Sequence, residues 1–197
     1  MSSILLPSSP AVRSARPMVQ SFGSILRPFL GGPSQRINRL GTRWALQVSM
    51  PLMRAEVART WTSALSRGSE DGVIMPIPQD IAIGNPGAPK VSAAVSAGTA
   101  LPLKGLTAAY AVRAGQFLSI IRGGRRHVHI FSADAVASGS GTMTAAIWPM
   151  LRVALATDDV VEIAAPKIEG WLDASFEWDV LLGPWVQLPD FTISEAA

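Results

Sequence analysis

The sequence predicts a mainly β fold, an antiparallel barrel or sandwich with one α-helix near residues 53–67 and a long N-terminal hairpin. Three observations point there. Glycine (17) and proline (15) are abundant among 197 residues, which favours turns and short strands over long helices. Apolar residues recur with period two in several short runs bounded by turn residues. Only one segment shows the three-to-four spacing of a helix face.

Residues 1–17 are rich in Ser, Pro and Arg, and Pro7, Pro10 and Pro17 argue against regular structure. They read as an extended arm that contributes no core and is ordered by a neighbour. Residues 18–26 form a candidate strand with Val19, Phe22 and Ile25 as apolar anchors, and Gly31-Gly32-Pro33 marks a turn. From Thr42 to Met50, Trp44, Leu46, Val48 and Met50 alternate with Arg43, Ala45, Gln47 and Ser49, so one face is apolar. The two runs together predict the long hairpin. Residues 53–67 place Met53, Val57, Trp61 and Leu65 on one helical stripe, with Gly68 as the stop. A short strand at 73–78 and a Pro/Gly-rich loop from about 79 to 90 follow. Short strands then succeed one another. Those at 117–122 and 125–131 flank Gly123-Gly124, a two-residue hairpin turn. Others are expected at 143–148, 160–164, 168–172, 176–182 and 191–193. The expected organisation is an arm (1–17), a hairpin, strand and helix region with its loop (18–90), and a small antiparallel barrel or sandwich (91–197), all within one continuous sheet system.

Composition excludes several classes. There is no cysteine, so disulfide frameworks, thiol catalysis and cysteine-held zinc are absent. No stretch is apolar and long enough for a membrane-spanning helix, and the Pro7 that follows Ile4-Leu5-Leu6 does not suit a secretory signal. The net charge of +3 hides a gradient: residues 1–67 carry +8, residues 68–152 carry +3 and residues 153–197 carry −8. A basic N-terminal region can bind nucleic-acid phosphates. The balance of opposite ends favours instead mutual attraction between neighbours in an assembly, and arginine suits such contacts because its planar fork pairs with carboxylates.

The candidate chemistry is sparse. His127 and His129 share one face of a strand and could supply two metal ligands, but no third is marked, so a polar strand face is the favoured reading. Glu177 and Asp179 also share a face, opposite Phe176, Trp178 and Val180, as an alternating surface strand would arrange them. No complete phosphate-binding or nucleophile-elbow motif is present. Trp148, Trp171, Trp178 and Trp185 suit core or subunit contacts, or a sugar platform. Neither catalysis nor a cofactor is expected.

The order of segments carries a resemblance. Gly31 to Trp44 (GGPSQRINRLGTRW), an alternating strand ended by Pro51 and a tryptophan-bearing helix come first. Gly115 to Ile120 (GQFLSI), Ile147 to Arg152 (IWPMLR) and Glu169-Gly170 follow. Over about residues 18–195 the chain resembles tail-tip proteins of long-tailed phages and prophages, and among them the distal tail proteins, whose ring joins tail tube to tip complex. The resemblance implies a structural subunit of the virion, made in the host cytoplasm, with no active site. The implied partners are copies of itself in a closed, six-membered ring, with tail tube, hub and tape-measure proteins, and neither membrane nor direct nucleic-acid contact. Candidate assembly residues are Arg13 and Arg16 in the arm, Arg36, Arg39 and Arg43 on the hairpin, and Glu177, Asp179 and Trp185 on an opposing surface. The alternative is a glycan- or ligand-binding β-domain of a tail or surface protein, using Trp171 and Trp185.

Overall fold

The computed structural model describes residues 3–37, 41–173, 177–181 and 183–196. The strands are β1 (Ile4–Leu5), β2 (Ser14–Gln20), β3 (Ser24–Leu26), β4 (Gln35–Ile37), β5 (Arg43–Ser49) and β6 (Met53–Arg54). Helix α1 (Ala55–Asp71) then leads to β7 (Val73–Pro76). Next come β8 (Gly87–Val91), β9 (Ala100–Leu106), β10 (Ala111–Val112), β11 (Phe117–Arg122), β12 (Arg125–Phe131), β13 (Ala135–Val136), β14 (Met143–Trp148) and β15 (Val160–Glu162). They are followed by β16 (Lys167–Asp173), β17 (Asp179–Val180), β18 (Trp185–Gln187) and β19 (Phe191–Glu195). The protein is mainly β with one helix among the described residues, as the turn-rich composition predicts. None of its described helices is long and apolar enough to cross a membrane.

Two β-systems carry the fold. Six antiparallel strands close a barrel in the order β11-β12-β14-β9-β8-β15, and a six-stranded sheet runs β1-β7-β16-β19-β5-β2. The barrel strands lie within residues 87–162, between β7 and β16, so the chain leaves the sheet, builds the barrel and returns. The expected division at residue 90 therefore differs from the architecture. Strands β16 and β19 complete the N-terminal sheet by pairing with β7 and β5, respectively. The long hairpin forms with β2 antiparallel to β5 from Ser14↔Ser49 to Gln20↔Arg43, and β3 with β4 extends it.

Helix α1 covers the sheet. Ala58, Trp61, Leu65 and Gly68 are buried at helical spacing, packed with Leu46, Val48, Ile168 and Ile193. The expected stripe was offset: Met53 belongs to β6, opposite Val186, and Val57 is exposed. Gly68 lies inside the helix because a Cβ there would come within 2.2 Å of Val73 Cγ1. The stop is Gly72, whose φ of 83° suits a residue without a side chain and whose N–H donates to the Gly68 carbonyl. The barrel has its own core of Leu101, Leu103, Leu118, Ile120, Phe131 and Ile147. Its β11–β12 turn places Gly123 and Gly124 at φ 59° and 78°, as a two-residue hairpin needs.

Residues 1–17 are not a free arm over their described part. Strand β1 pairs parallel with β7, and the Arg13 N–H donates to Ser49 O at 2.9 Å. Leu6 is only 3% exposed and joins the main core. The Trp61 indole N–H donates to Ser9 O at 3.1 Å. The prolines misled because they sit between and along short pairings rather than preventing them; Pro17 lies on the edge strand β2, where a missing donor is tolerated. Leu6→Ala should therefore lower stability by about 2–4 kcal/mol, measured by urea denaturation, whereas a free arm would show no change.

Candidate assembly surface

The hairpin grows from the sheet edge with regular pairing over seven residue pairs, then narrows to β3 and β4, where Ile25 faces Arg36 and Leu26 faces Gln35. Phe22 is held at the bend: Gly41 lies against its ring and the Arg43 guanidinium stands 5.2 Å from the ring centroid. Beyond it nothing in the described chain covers the apolar side chains. Phe29 is 100% exposed and Leu30 92%, with Ile25 and Leu26 about half exposed. The turn motif Pro28-Phe29-Leu30-Gly31 carried this signal in the sequence, since two large apolar residues in a turn have no strand face to serve. From Gln20 to Phe29 the arm reaches about 30 Å at most.

The charge gradient resolves into two parts. Five of the nine C-terminal acids are paired, mostly with cations of the middle segment: Asp158 with Lys104, Asp159 with Arg122, Glu162 with Arg126 and with the C-terminal Lys167, Glu169 with Arg126, and Glu195 with Arg152. None of Arg13, Arg16, Arg27, Arg36, Arg43 or Arg54 forms a salt bridge among the described residues. Arg36 sits near the hairpin tip and Arg43 at its base; Arg39 lies outside the described residues. Arg16 is on the edge strand β2 and Arg13 just precedes it, and the two line a cleft of about 280 Å³ with Gln47, Ser49 and Asp190.

Of the opposing candidates, Asp179 and Trp185 lie on a small sheet of β17, β18 and β6, and Glu177 precedes β17. Asp179 pairs with Gln187 and Trp185 with Arg54, and the Arg54 guanidinium lies 6.0 Å from the centroid of a Trp185 ring. Leu181 N–H donates to Trp185 O at 3.2 Å. Glu177, Asp179, Leu181 and Trp185 are exposed, giving an acidic surface with large apolar groups. The strand expected over 176–182 spans only Asp179–Val180; Phe176 and Leu182 lie outside the described residues.

Sequence reasoning missed the junction between barrel and sheet. Strand β12 pairs along its length with β11 but meets β14 only at Ile130 and Phe131. Its other N–H groups there are taken by carboxylates. Glu169 accepts from the Arg126 N–H at 3.2 Å and from its guanidinium at 3.3 Å, and Glu195 accepts from the Val128 N–H at 2.8 Å. Glu195 also accepts from the Trp44 N–H at 3.0 Å and pairs with Arg152. Burial alone would raise the Glu162 carboxyl, but hydrogen bonds from Lys167, Ser119 and Arg126 outweigh it and hold it below the usual range. Arg152→Met should cost about 3–5 kcal/mol by leaving the Glu195 carboxylate buried without its cation; an unchanged urea midpoint would remove that pair from the stability of the junction.

His127 and His129 share a face, and that face is buried, opposite Ile120 and Leu118 of β11. The His129 Nδ1–H donates to Pro149 O at 2.8 Å, so that proton sits on Nδ1. Burial is the main force holding both rings below 6.5, His129 down to about 3, and the nearby Arg152 charge acts the same way. No group of three metal-ligating side chains occurs among the described residues. Signs of this burial were readable: His127 and His129 alternate with Val128 and Ile130, so neither face of the strand is plainly polar. Because unfolded histidines take up protons near pH 6.5 and the folded His129 near 3, stability present above 6.5 is lost as pH falls through that window. The urea midpoint should drop between pH 7 and pH 5, and less so in His129→Leu; equal drops would exclude this ring as the source.

No protein-family model matches the chain, and no curated protein matches it.

Proposed function

We propose that this protein is a structural subunit of the tail tip of a long-tailed phage, of the distal-tail type, which assembles with copies of itself into a closed ring between tail tube and tip complex. The observation that carries the reading is the hairpin: its tip presents Phe29 and Leu30 almost wholly to solvent, and its described arginines, Arg27, Arg36 and Arg43, have no salt-bridge partner among the described residues. A long apolar arm left in water is an aggregation hazard unless a partner covers it. The partner with matching chemistry is a second copy, because the β17–β18 surface offers Glu177, Asp179, Leu181 and Trp185 to a hairpin that carries Arg27 and Arg36 and no acid. A head-to-tail contact between two different patches closes into a ring when the rotation per subunit allows it. Six copies, tube, hub and tape-measure partners and a place in the virion follow from the resemblance rather than from this surface.

Native mass measurement of the purified chain should give a closed oligomer. Phe29→Asp combined with Leu30→Asp should weaken self-association by roughly 30-fold or more, about 2 kcal/mol, with an unchanged melting temperature because both side chains are exposed in the subunit. Raising the salt concentration should loosen the wild-type oligomer. A strict monomer at high concentration would refute ring assembly by this chain alone.

A further inference from the structure

A second surface, away from the hairpin, has the make-up of a ligand site. A cleft of about 550 Å³ is lined by the β11–β12 turn and by β16. Its lining includes Glu169, Gly170 and Trp171 of β16, Arg125 at the start of β12, and Asp71 and Ser3. That volume lies within the roughly 300–1,000 Å³ range of small-molecule sites. Trp171 is 43% exposed, and its ring edge runs beside Gly72, where a Cβ would stand 3.5 Å from Cζ3. The indole is therefore supported at its edge and presents area to the cleft.

The charges of the cleft decide what fits. Glu169 and Arg126 satisfy each other, and the Ser3 hydroxyl donates to Glu169 at 2.8 Å. Asp71 and Arg125 form no salt bridge among the described residues and so keep an acceptor and a donor for a guest. Two acids and two bases leave the cleft without net charge. An anion would gain from Arg125 but face Asp71 and Glu169, and a cation would meet the reverse conflict. A guest with one apolar face and many hydroxyl groups meets every feature: its C–H face lies on Trp171, and its hydroxyls donate to Asp71 and accept from Arg125.

We propose that this cleft binds a neutral saccharide. Trp171 is the stacking platform, and Asp71 and Arg125 are the hydrogen-bonding groups. The lining residues include none from the hairpin or from β17 and β18, so the site stands or falls separately from ring assembly. Trp185, the other tryptophan considered as a sugar platform, does not line it.

The test uses the full chain and ligand-observed NMR with neutral trisaccharides of glucose, galactose and N-acetylglucosamine, and with sialyllactose and inorganic phosphate as anionic probes. At least one neutral trisaccharide should bind saturably with a Kd of about 1 mM or tighter. Trp171→Ala should weaken it at least 10-fold, and Arg125→Ala, an exposed position that tests the hydrogen bonding without touching the core, by roughly 3- to 10-fold. Thermal melting identifies any variant that has lost its fold. The proposal is overturned if no neutral probe saturates by about 10 mM, if an anionic probe binds more tightly than all neutral ones, or if binding persists unchanged in both variants.

Discussion

The structure depends on carboxylates that finish a β-strand. Over Arg126 and Val128, one edge of β12 meets no strand, and backbone donors left unpaired inside a protein are costly. The sheet supplies the missing acceptors from Glu169 and Glu195. Each is charged, so the bonds are stronger than the amide–carbonyl bonds they replace, and each is matched by a guanidinium, from Arg126 and Arg152 respectively. Buried ion pairs seldom add net stability over apolar packing, yet removal of one partner is severe. Their contribution here is positional: the two N–H groups and two guanidinia accept only one placement of barrel against sheet. Val128 then lies in the sheet core while Phe131 of the same strand lies in the barrel core.

That junction also gives the charge gradient its meaning. The C-terminal acids looked like a complement to the N-terminal arginines. Five of them instead answer Lys104, Arg122, Arg126, Arg152 and Lys167. What remains is a smaller acidic group of Asp173, Glu177, Asp179 and Asp190 and a set of arginines without salt-bridge partners among the described residues. The opposition of ends survives, reduced to the residues that face outward.

Local structure was legible where local rules decide it. The alternation from Arg43 to Ser49, the glycine pair between β11 and β12 and the run from Met143 to Trp148 all fix short-range geometry, and each appears at or near its expected bounds. The helix was legible in kind but not in phase, because Met53 is drawn into β6 by Val186 far along the chain. Long-range pairing was not legible. Nothing near Glu169 announces that its carboxylate meets Arg126, 43 residues away, or Ser3, 166 residues away. Nor did the proline-rich start reveal that Leu6 is a core residue, since that depends on β7 lying alongside. Of the candidate assembly residues, exposure could be read from alternation for Glu177 and Asp179, of which only Asp179 lies on a strand; for Phe29 and Leu30 the turn motif gave the hint, and the fold shows that nothing in the described chain packs on them.

The passage from sheet to barrel and back is narrow. Lys167 stands opposite Pro76, and the Ile77 N–H donates to Pro166 O at 2.8 Å, so the outgoing and returning strands are stapled side by side at a single neck. By connectivity alone the intervening module could be excised and the gap bridged by a tight loop. Chemically it could not, since the remaining half would keep Glu169 and Glu195 without the Arg126 and Val128 amides and without the Arg126 and Arg152 guanidinia that they meet. A lineage that exchanged this module for another would have to change Glu169 and Glu195 in step with it, and those two positions are where the history of such a swap would be written.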